Sequence, residues 1–305
     1  MSNFKKYYQI GGFTIELVSE LPIGNNTFHS KFFAFETTYP SSEKMIIEHR
    51  FQWDDDTINS SDNDPFYINA TWKIIISENR VIYKWINPNP PHNNILRKAV
   101  CDRQHSHIVI LNDNYLKNKY LAGNLLSLSM FPTDQILIGA YLAYKQGCIL
   151  HSLGIILNNE GFLFLGHSGA GKSTMANLMK DEAEILCDDR NIIRKFPYGY
   201  QLYGTWSHGD VTEISPKSCC LQAIFFLQKS PINAIEKIND KKTIITRLLA
   251  CLIRPISTSD WWNLSIDVIV NVSDTIPCFI LKFNQTPEII NLIKNATNNH
   301  TCYES

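Results

Sequence analysis

Residues 166–174 read Gly-His-Ser-Gly-Ala-Gly-Lys-Ser-Thr, a run whose residue types suit a polyphosphate. Gly166, Gly171, Lys172 and Ser173 fit the pattern G-x-x-x-x-G-K-[ST]. Glycines let a backbone fold into a concave nest whose N–H groups point at phosphate oxygens. A helix that follows turns its N-terminal dipole on the same charge. Gly166, Ser168, Gly169, Ala170, Gly171, Lys172, Ser173 and Thr174 are therefore the candidate nucleotide-binding residues. Lys172 is placed to reach the outer phosphates, and the Ser173 hydroxyl to complete the shell of a magnesium ion.

Sixteen residues beyond Lys172 stands Asp188-Asp189. Two adjacent carboxylates at a strand end can divide labour: one holds magnesium, and the other accepts the proton of an attacking hydroxyl. Neighbours on an extended chain point opposite ways, so both chelate one ion only where the chain turns. Taken alone, the pair also reads as an exposed acidic turn. His151, fifteen residues before Gly166, reads as a contact to the γ-phosphate or the substrate, or else as a satisfied, partly buried histidine. His167, inside the loop, is expected to face solvent.

Residues 203–210, Tyr-Gly-Thr-Trp-Ser-His-Gly-Asp, have the make-up of a loop that closes over a nucleotide or an acceptor. Its glycines would bend, Trp206 would stack, and His208 and Asp210 would hydrogen-bond; ordinary surface loops share that composition. Arg190, Arg194, Arg247 and Arg254 are candidates to neutralise charge on a transferring phosphoryl group, and the sequence selects none of them. Trp261-Trp262 reads as a packing anchor.

These groups need elements to hold them. Residues 162–165 are a short apolar run, as a buried strand before the loop should be, and residues 173–180 are helix formers. Strands are also expected at 148–150, 154–157 and 185–187, with a turn at 158–161. Further strands are expected at 221–227 and 277–283, and a terminal helix at 288–295. Upstream, residues 13–18, 45–51 and 107–111 alternate, and 73–76 with 81–85 form a hairpin through 77–80. Residues 54–64 read as a polar loop without the glycine and glutamate of a calcium hand, and 87–91 as a proline break. Residues 121–130 and 133–146 carry helical spacing, with Pro132-Thr133 as a start signal. Three parts follow: a β-rich domain over 1–115, a helical connector over 116–147, and an α/β domain over 148–305.

The 305 residues carry a net charge of -1 with basic residues scattered, which leaves no footprint for nucleic acid. No run reaches the roughly 18 apolar residues of a membrane span, and the first residues hold no apolar core of signal-peptide length. The expectation is a soluble, cytoplasmic protein. Its eight cysteines form no C-x-x-C pair, so they read as reduced, small core residues.

His151, the loop 166–174 and Leu186-Cys-Asp-Asp189 together resemble the catalytic domain of the HPr kinase family and its relatives. Residues 222–227 and 276–282 are similar to strands of HPr-kinase-like proteins of biosynthetic clusters. The resemblance implies a P-loop kinase core related to phosphoenolpyruvate carboxykinase, using ATP and Mg2+. By that likeness Lys172 binds phosphates, Ser173 magnesium, and His151 lines the phosphate site. Asp188 matches the carboxylate that deprotonates the acceptor serine and Asp189 its metal-side neighbour, two roles that are interchangeable. The glycine- and arginine-rich signature of true HPr kinase/phosphorylases is absent, so HPr is not the expected acceptor. The β-rich part resembles that of cluster-associated members, among them kinases of lasso-type precursor peptides.

The expected fold class is α/β, with an HPr-kinase-like C-terminal domain, a β-rich N-terminal domain suited to acceptor capture, and a helical connector. The expected function is magnesium-ATP-dependent transfer of the γ-phosphoryl group to a hydroxyl. The acceptor would be a serine on a peptide or protein, such as a precursor peptide, or alternatively a small alcohol. An ATP-binding regulatory or assembly protein without transfer is the rival from another class. A GTPase ranks lower, for want of an Asn-Lys-x-Asp segment. No nucleic acid and no membrane is expected as a partner; homo-oligomerisation is left open.

Overall fold

The computed structural model describes residues 3–51, 67–68, 71–86, 95–255, 258–284 and 286–298. The polar loop at 54–64 and the proline break at 87–91 lie outside the described residues. The architecture is mixed α/β, with two sheets and several helices. By contacts the chain divides into two compact units, Met1–Gln9 with Phe13–Tyr141 and Ile10–Gly12 with Leu142–Ser305. The compositional shift near residue 115 falls inside the first unit.

The first unit is built on β1 (Phe4–Ile10), β2 (Phe13–Ser19), β3 (Lys44–Arg50), β4 (Tyr67–Ile68), β5 (Trp72–Ile76), β6 (Arg80–Ile86), β7 (Ile95–Asp102) and β8 (His107–Asn112). They form one sheet in the order β1-β2-β3-β8-β7-β6-β5-β4. β2, β3 and β8 run parallel, whereas β8 through β4 pair antiparallel, including the expected hairpin of β5 with β6.

The helix expected at 121–130 is not there. Helix α1 spans Asn114–Ala122 instead, because Asp113 caps it by accepting from the Leu116 N–H, and Gly123, at φ +81°, ends it. Residues 127–129 turn around the buried Asp134, whose oxygens accept from Ser127 Oγ, Leu128 N and Ser129 N. Helix α2 (Gln135–Tyr144) lies where the pattern at 133–146 puts it.

The second unit holds β9 (Gly147–Leu157), β10 (Glu160–Leu165), α3 (Lys172–Met179), β11 (Glu184–Cys187), β12 (Arg190–Phe196), β13 (Gly199–Tyr203), β14 (Ser218–Lys229) and β15 (Ala234–Lys237). α4 (Lys241–Cys251), α5 (Ser259–Thr275), β16 (Cys278–Phe283) and α6 (Glu288–Asn298) complete it. The two strands expected at 148–150 and 154–157 are one continuous strand, β9. It returns into β10 through Asn158 and Asn159, both at positive φ, the geometry of a tight hairpin turn.

β9 serves two sets of neighbours. Its residues 147–151 pair with β12, and residues 152–157 pair with β10. β14 does likewise, pairing with β13 through residues 218–220 and with β10 and β16 farther on. β10, β14 and β16 are mutually parallel and buried on both faces, which is why they read as near-continuous apolar runs. Their register sets Phe164, Phe225 and Phe279 side by side, with ring centroids 5.2 and 5.4 Å apart. One face of these strands packs on α3 and α6 and the other on α4 and α5. Trp261 is buried there, edge-on to Trp262, as an anchor of packing.

All seven described cysteines are free thiols, and five of them are buried. Cys219 is half-exposed and Cys220 exposed, so these two are not core residues. Among the described residues no helix is long and apolar enough to cross a membrane.

Candidate functional site

The carboxyl end of β10 delivers Leu165 into the loop, and the loop delivers Lys172 as the first residue of α3. Both motif glycines are fixed by contact, and Gly171 also by conformation. A Cβ on Gly166 would lie 2.5 Å from the Ala170 Cβ. Gly171 caps α3 at φ +107°, and a Cβ there would lie 2.5 Å from Phe283 at the end of β16. The loop closes on itself through Ala170 N to His167 O at 3.0 Å.

Lys172 is only 7% exposed, and its side chain turns back into the loop. Its Nζ donates to Gly166 O at 2.9 Å and lies 2.8 Å from His151 Nε2. An ammonium can only donate, so His151 Nε2 accepts and Nδ1 carries the proton. That Nδ1 lies 2.8 Å from Asp189 Oδ1, and Arg190 Nε lies 3.1 Å from Asp189 Oδ2. Lysine, histidine, aspartate and arginine thus form one continuous contact chain. Burial pushes the Lys172 pKa down, opposed by the nearby Cys251, Asp189 and Asp188. Burial works against ionised Asp189, yet the His151 hydrogen bond and the charges of Arg190 and Lys172 outweigh it and hold its pKa below the ordinary value.

Asp188, by contrast, is buried and satisfied by backbone. Its Oδ1 accepts from Gly209 N at 2.6 Å and its Oδ2 from Val211 N at 2.9 Å. Asp188 and Asp189 therefore have different partners, and they stand at the bend between β11 and β12, where the chain turns. The junction beneath them is pinned by Asn191, whose Nδ2 donates to Ser152 O at 2.8 Å and Cys187 O at 3.0 Å. Ser152 N adds a bond to Asp189 O at 2.9 Å. These contacts lock the end of β11 to the point where β9 passes from β12 to β10.

One cleft of about 390 Å³ collects most of the expected groups: His151, Ser168, Gly169, Gly171, Lys172, Ser173, Thr174, Asp188 and Asp189. Gly166 and Ala170 do not line it; they shape the loop from behind. Ser173 Oγ donates to Asp210 Oδ2 at 3.2 Å, so the 203–210 segment does reach the site. It reaches it with Gly209 and Asp210, and not with Trp206 or His208. Trp206 is buried, 2% exposed, and packs in the interior, not over a ligand. His208 is half-exposed, lies outside the cleft lining, and has Nδ1 3.1 Å from its neighbour's carbonyl, Gly209 O. His167 is exposed, as expected.

Of the four arginines, Arg190 alone meets a cleft carboxylate. Arg194 binds the Lys145 carbonyl, while Arg247 and Arg254 lie over the rings of Phe226 and Trp262. Lys229 also lines the cleft and had no sequence signal beyond its place at the end of an apolar run. The parallel pairing of β14 with β10 carries it there, since neighbouring parallel strands end at the same edge.

No group of three or more metal-ligating side chains is present among the described residues. Magnesium, where a site holds it, takes one or two carboxylates and completes its shell with water and substrate phosphates. Ser173, Asp189 and Asp210 are the oxygen donors on hand.

A family model described as SynChlorMet cassette protein ScmC matches residues 124–296, more than half of the chain. No curated protein matches it. Among solved structures, the Hpr(Ser) kinase/phosphatase from Coxiella burnetii is similar at 12% identity, over 50% of this chain and 98% of that one, with a TM-score of 0.29. A likeness that distant carries no argument about the site.

Proposed function

We propose that this chain, which belongs to the family of SynChlorMet cassette protein ScmC, is a kinase that binds magnesium-ATP in the cleft beside β10 and passes the γ-phosphoryl group to a hydroxyl. The observation that carries the reading is the convergence of Lys172, Ser173, Asp188 and Asp189 on one cleft behind a glycine loop. The acceptor is a serine on a peptide or protein, with a small alcohol as the alternative.

The residues divide the work. The loop N–H groups and the Lys172 ammonium neutralise the phosphates, and His151 together with the Gly166 carbonyl fixes where that ammonium points. Asp189, held below the ordinary carboxyl pKa, is a weak base and a good cation ligand, so it belongs on the magnesium side with Ser173. Asp188 takes the proton: as the acceptor oxygen bonds to the γ-phosphorus, the bond to the bridging oxygen breaks, ADP leaves, and the hydroxyl proton passes to the carboxylate. Each Asp188 oxygen keeps a lone pair beyond its backbone bond.

One observation favours the competing reading, a nucleotide-dependent regulator. Both Asp188 oxygens already accept from the 209–211 backbone, as a residue that merely orders that loop would. The test is transfer from γ-labelled ATP to serine peptides and to small alcohols, with ATP binding measured alongside. Lys172→Ala is expected to lose binding, and Asp188→Asn to keep binding while transfer falls by roughly a hundredfold or more. Undiminished transfer by Asp188→Asn would remove it as the base; no transfer to any acceptor, with ATP bound, would favour the regulator.

A further inference from the structure

A second cleft, of about 540 Å³, adjoins the first and is the larger of the two. The two share Gly169 and Lys229, so they meet across the loop. Their chemistry differs. The first is lined by the carboxylates of Asp188, Asp189 and Asp210, whereas no carboxylate lines the second. Its floor is apolar, formed by Phe226 and Leu227 of β14 with exposed Ala250 of α4 at the rim, and its cations are Arg247 and the shared Lys229. The Arg247 guanidinium sits 5.6 Å from the Phe226 ring centroid, which orients it without neutralising it.

Position on the loop distinguishes the clefts further. Ser173 and Thr174 line only the first, while Gly166, His167 and Ala170 line only the second. In-line transfer needs the acceptor and the departing diphosphate on opposite sides of the γ-phosphorus. With the diphosphate on the Ser173–Thr174 side, an acceptor enters across the first half of the loop, past Gly169.

We infer that the second cleft is the acceptor subsite, and that its occupant is a peptide segment carrying an apolar side chain and a carboxylate next to the accepting serine. The inference rests on the kinase reading for the direction of approach, and on the apolar floor and unopposed cations for the class of ligand. An apolar side chain covers Phe226 and Leu227, and the carboxylate meets Arg247 and Lys229. A small neutral alcohol would use neither feature.

The test uses the full chain and a fluorescein-labelled peptide of serine flanked by leucine and glutamate, with a twin that has lysine for glutamate. Fluorescence anisotropy reads peptide binding, and a fluorescent ATP analogue reads nucleotide binding. The acidic peptide is expected to bind and its twin not. Arg247→Glu and Ala250→Trp should each weaken the acidic peptide by roughly tenfold, and Arg247→Lys much less, with nucleotide affinity unchanged in all three. Ala250 is exposed on α4, so the tryptophan fills the cleft without entering the core. Equal binding of the twins, or unaltered peptide affinity in both Arg247→Glu and Ala250→Trp, would overturn the inference. Loss of nucleotide binding by Ala250→Trp would overturn it too, by making the cleft the nucleoside's pocket. A wild-type chain that binds no magnesium-ATP removes the kinase reading, and the anisotropy measurement still decides whether acidic peptide is held.

Discussion

His151 is the residue that makes two charged groups behave as one device. It takes a hydrogen from Lys172 on one ring nitrogen and lies 2.8 Å from the Asp189 carboxylate with the other. The depressed pKa of Asp189 gives this device a pH signature. Its contribution to stability is fully present above the ordinary carboxyl value, near 3.9, and is lost as pH falls through the lower folded value. Asp189→Asn is therefore expected to lower the urea midpoint at pH 7 and to approach the parent in acid; a gap that does not narrow as pH falls would disprove the linkage. At this scale the meeting of the loop residues, the aspartates and His151 in one cleft was legible from their types and spacing. Trp206 was misread because an irregular loop has no periodicity to say which side chains turn inward.

Elements decide whether those residues meet. Gly171 is where α3, the loop and β16 crowd together, with φ at +107° and Phe283 filling the space a side chain would need. Gly171→Ala should cost about 1–3 kcal/mol from the backbone conformation alone. The clash with Phe283 adds to it, so nucleotide affinity is expected to fall even where the chain folds. Chemical denaturation and ATP titration of the same preparation check both parts; a neutral effect would mean the loop is not held as described. The strands at 162–165, 185–187 and 221–227 were readable as apolar runs, and helix α2 from its spacing. α1 was misplaced by register, because the Asp113 cap and Gly123 override the apolar spacing at 121–130. Lys229 stayed hidden for a different reason. Its role depends on which strand lies next to β10, and strand order is not written in any local pattern.

Across the whole molecule, a net charge of -1 conceals a segregation of charge within the second unit. One cleft sets three carboxylates beside Lys172 and Lys229, and its neighbour has Lys229 and Arg247 with no carboxylate. Composition shows the sum and cannot show the partition. All residues of both clefts belong to the second unit, so ligand stabilisation should act there. Magnesium-ATP at a hundred times its Kd is expected to add about 2.7 kcal/mol to the unit that binds it. Scanning calorimetry should show the corresponding transition move up, and a thermogram unmoved by saturating nucleotide would sink the assignment of the cleft.

β9 pairs first with β12 and then with β10, and His151 and Ser152 stand at the changeover. That arrangement has a consequence in time. Nucleating the α-helices and the β9–β10 hairpin needs only near neighbours, whereas the changeover also needs β12, which comes from farther along the chain. Contacts of long sequence separation form slowly. The hairpin is thus expected to pair before the changeover is complete, and the loop at 166–174 is not closed in until β14 and β16 arrive, since Phe283 packs on Gly171.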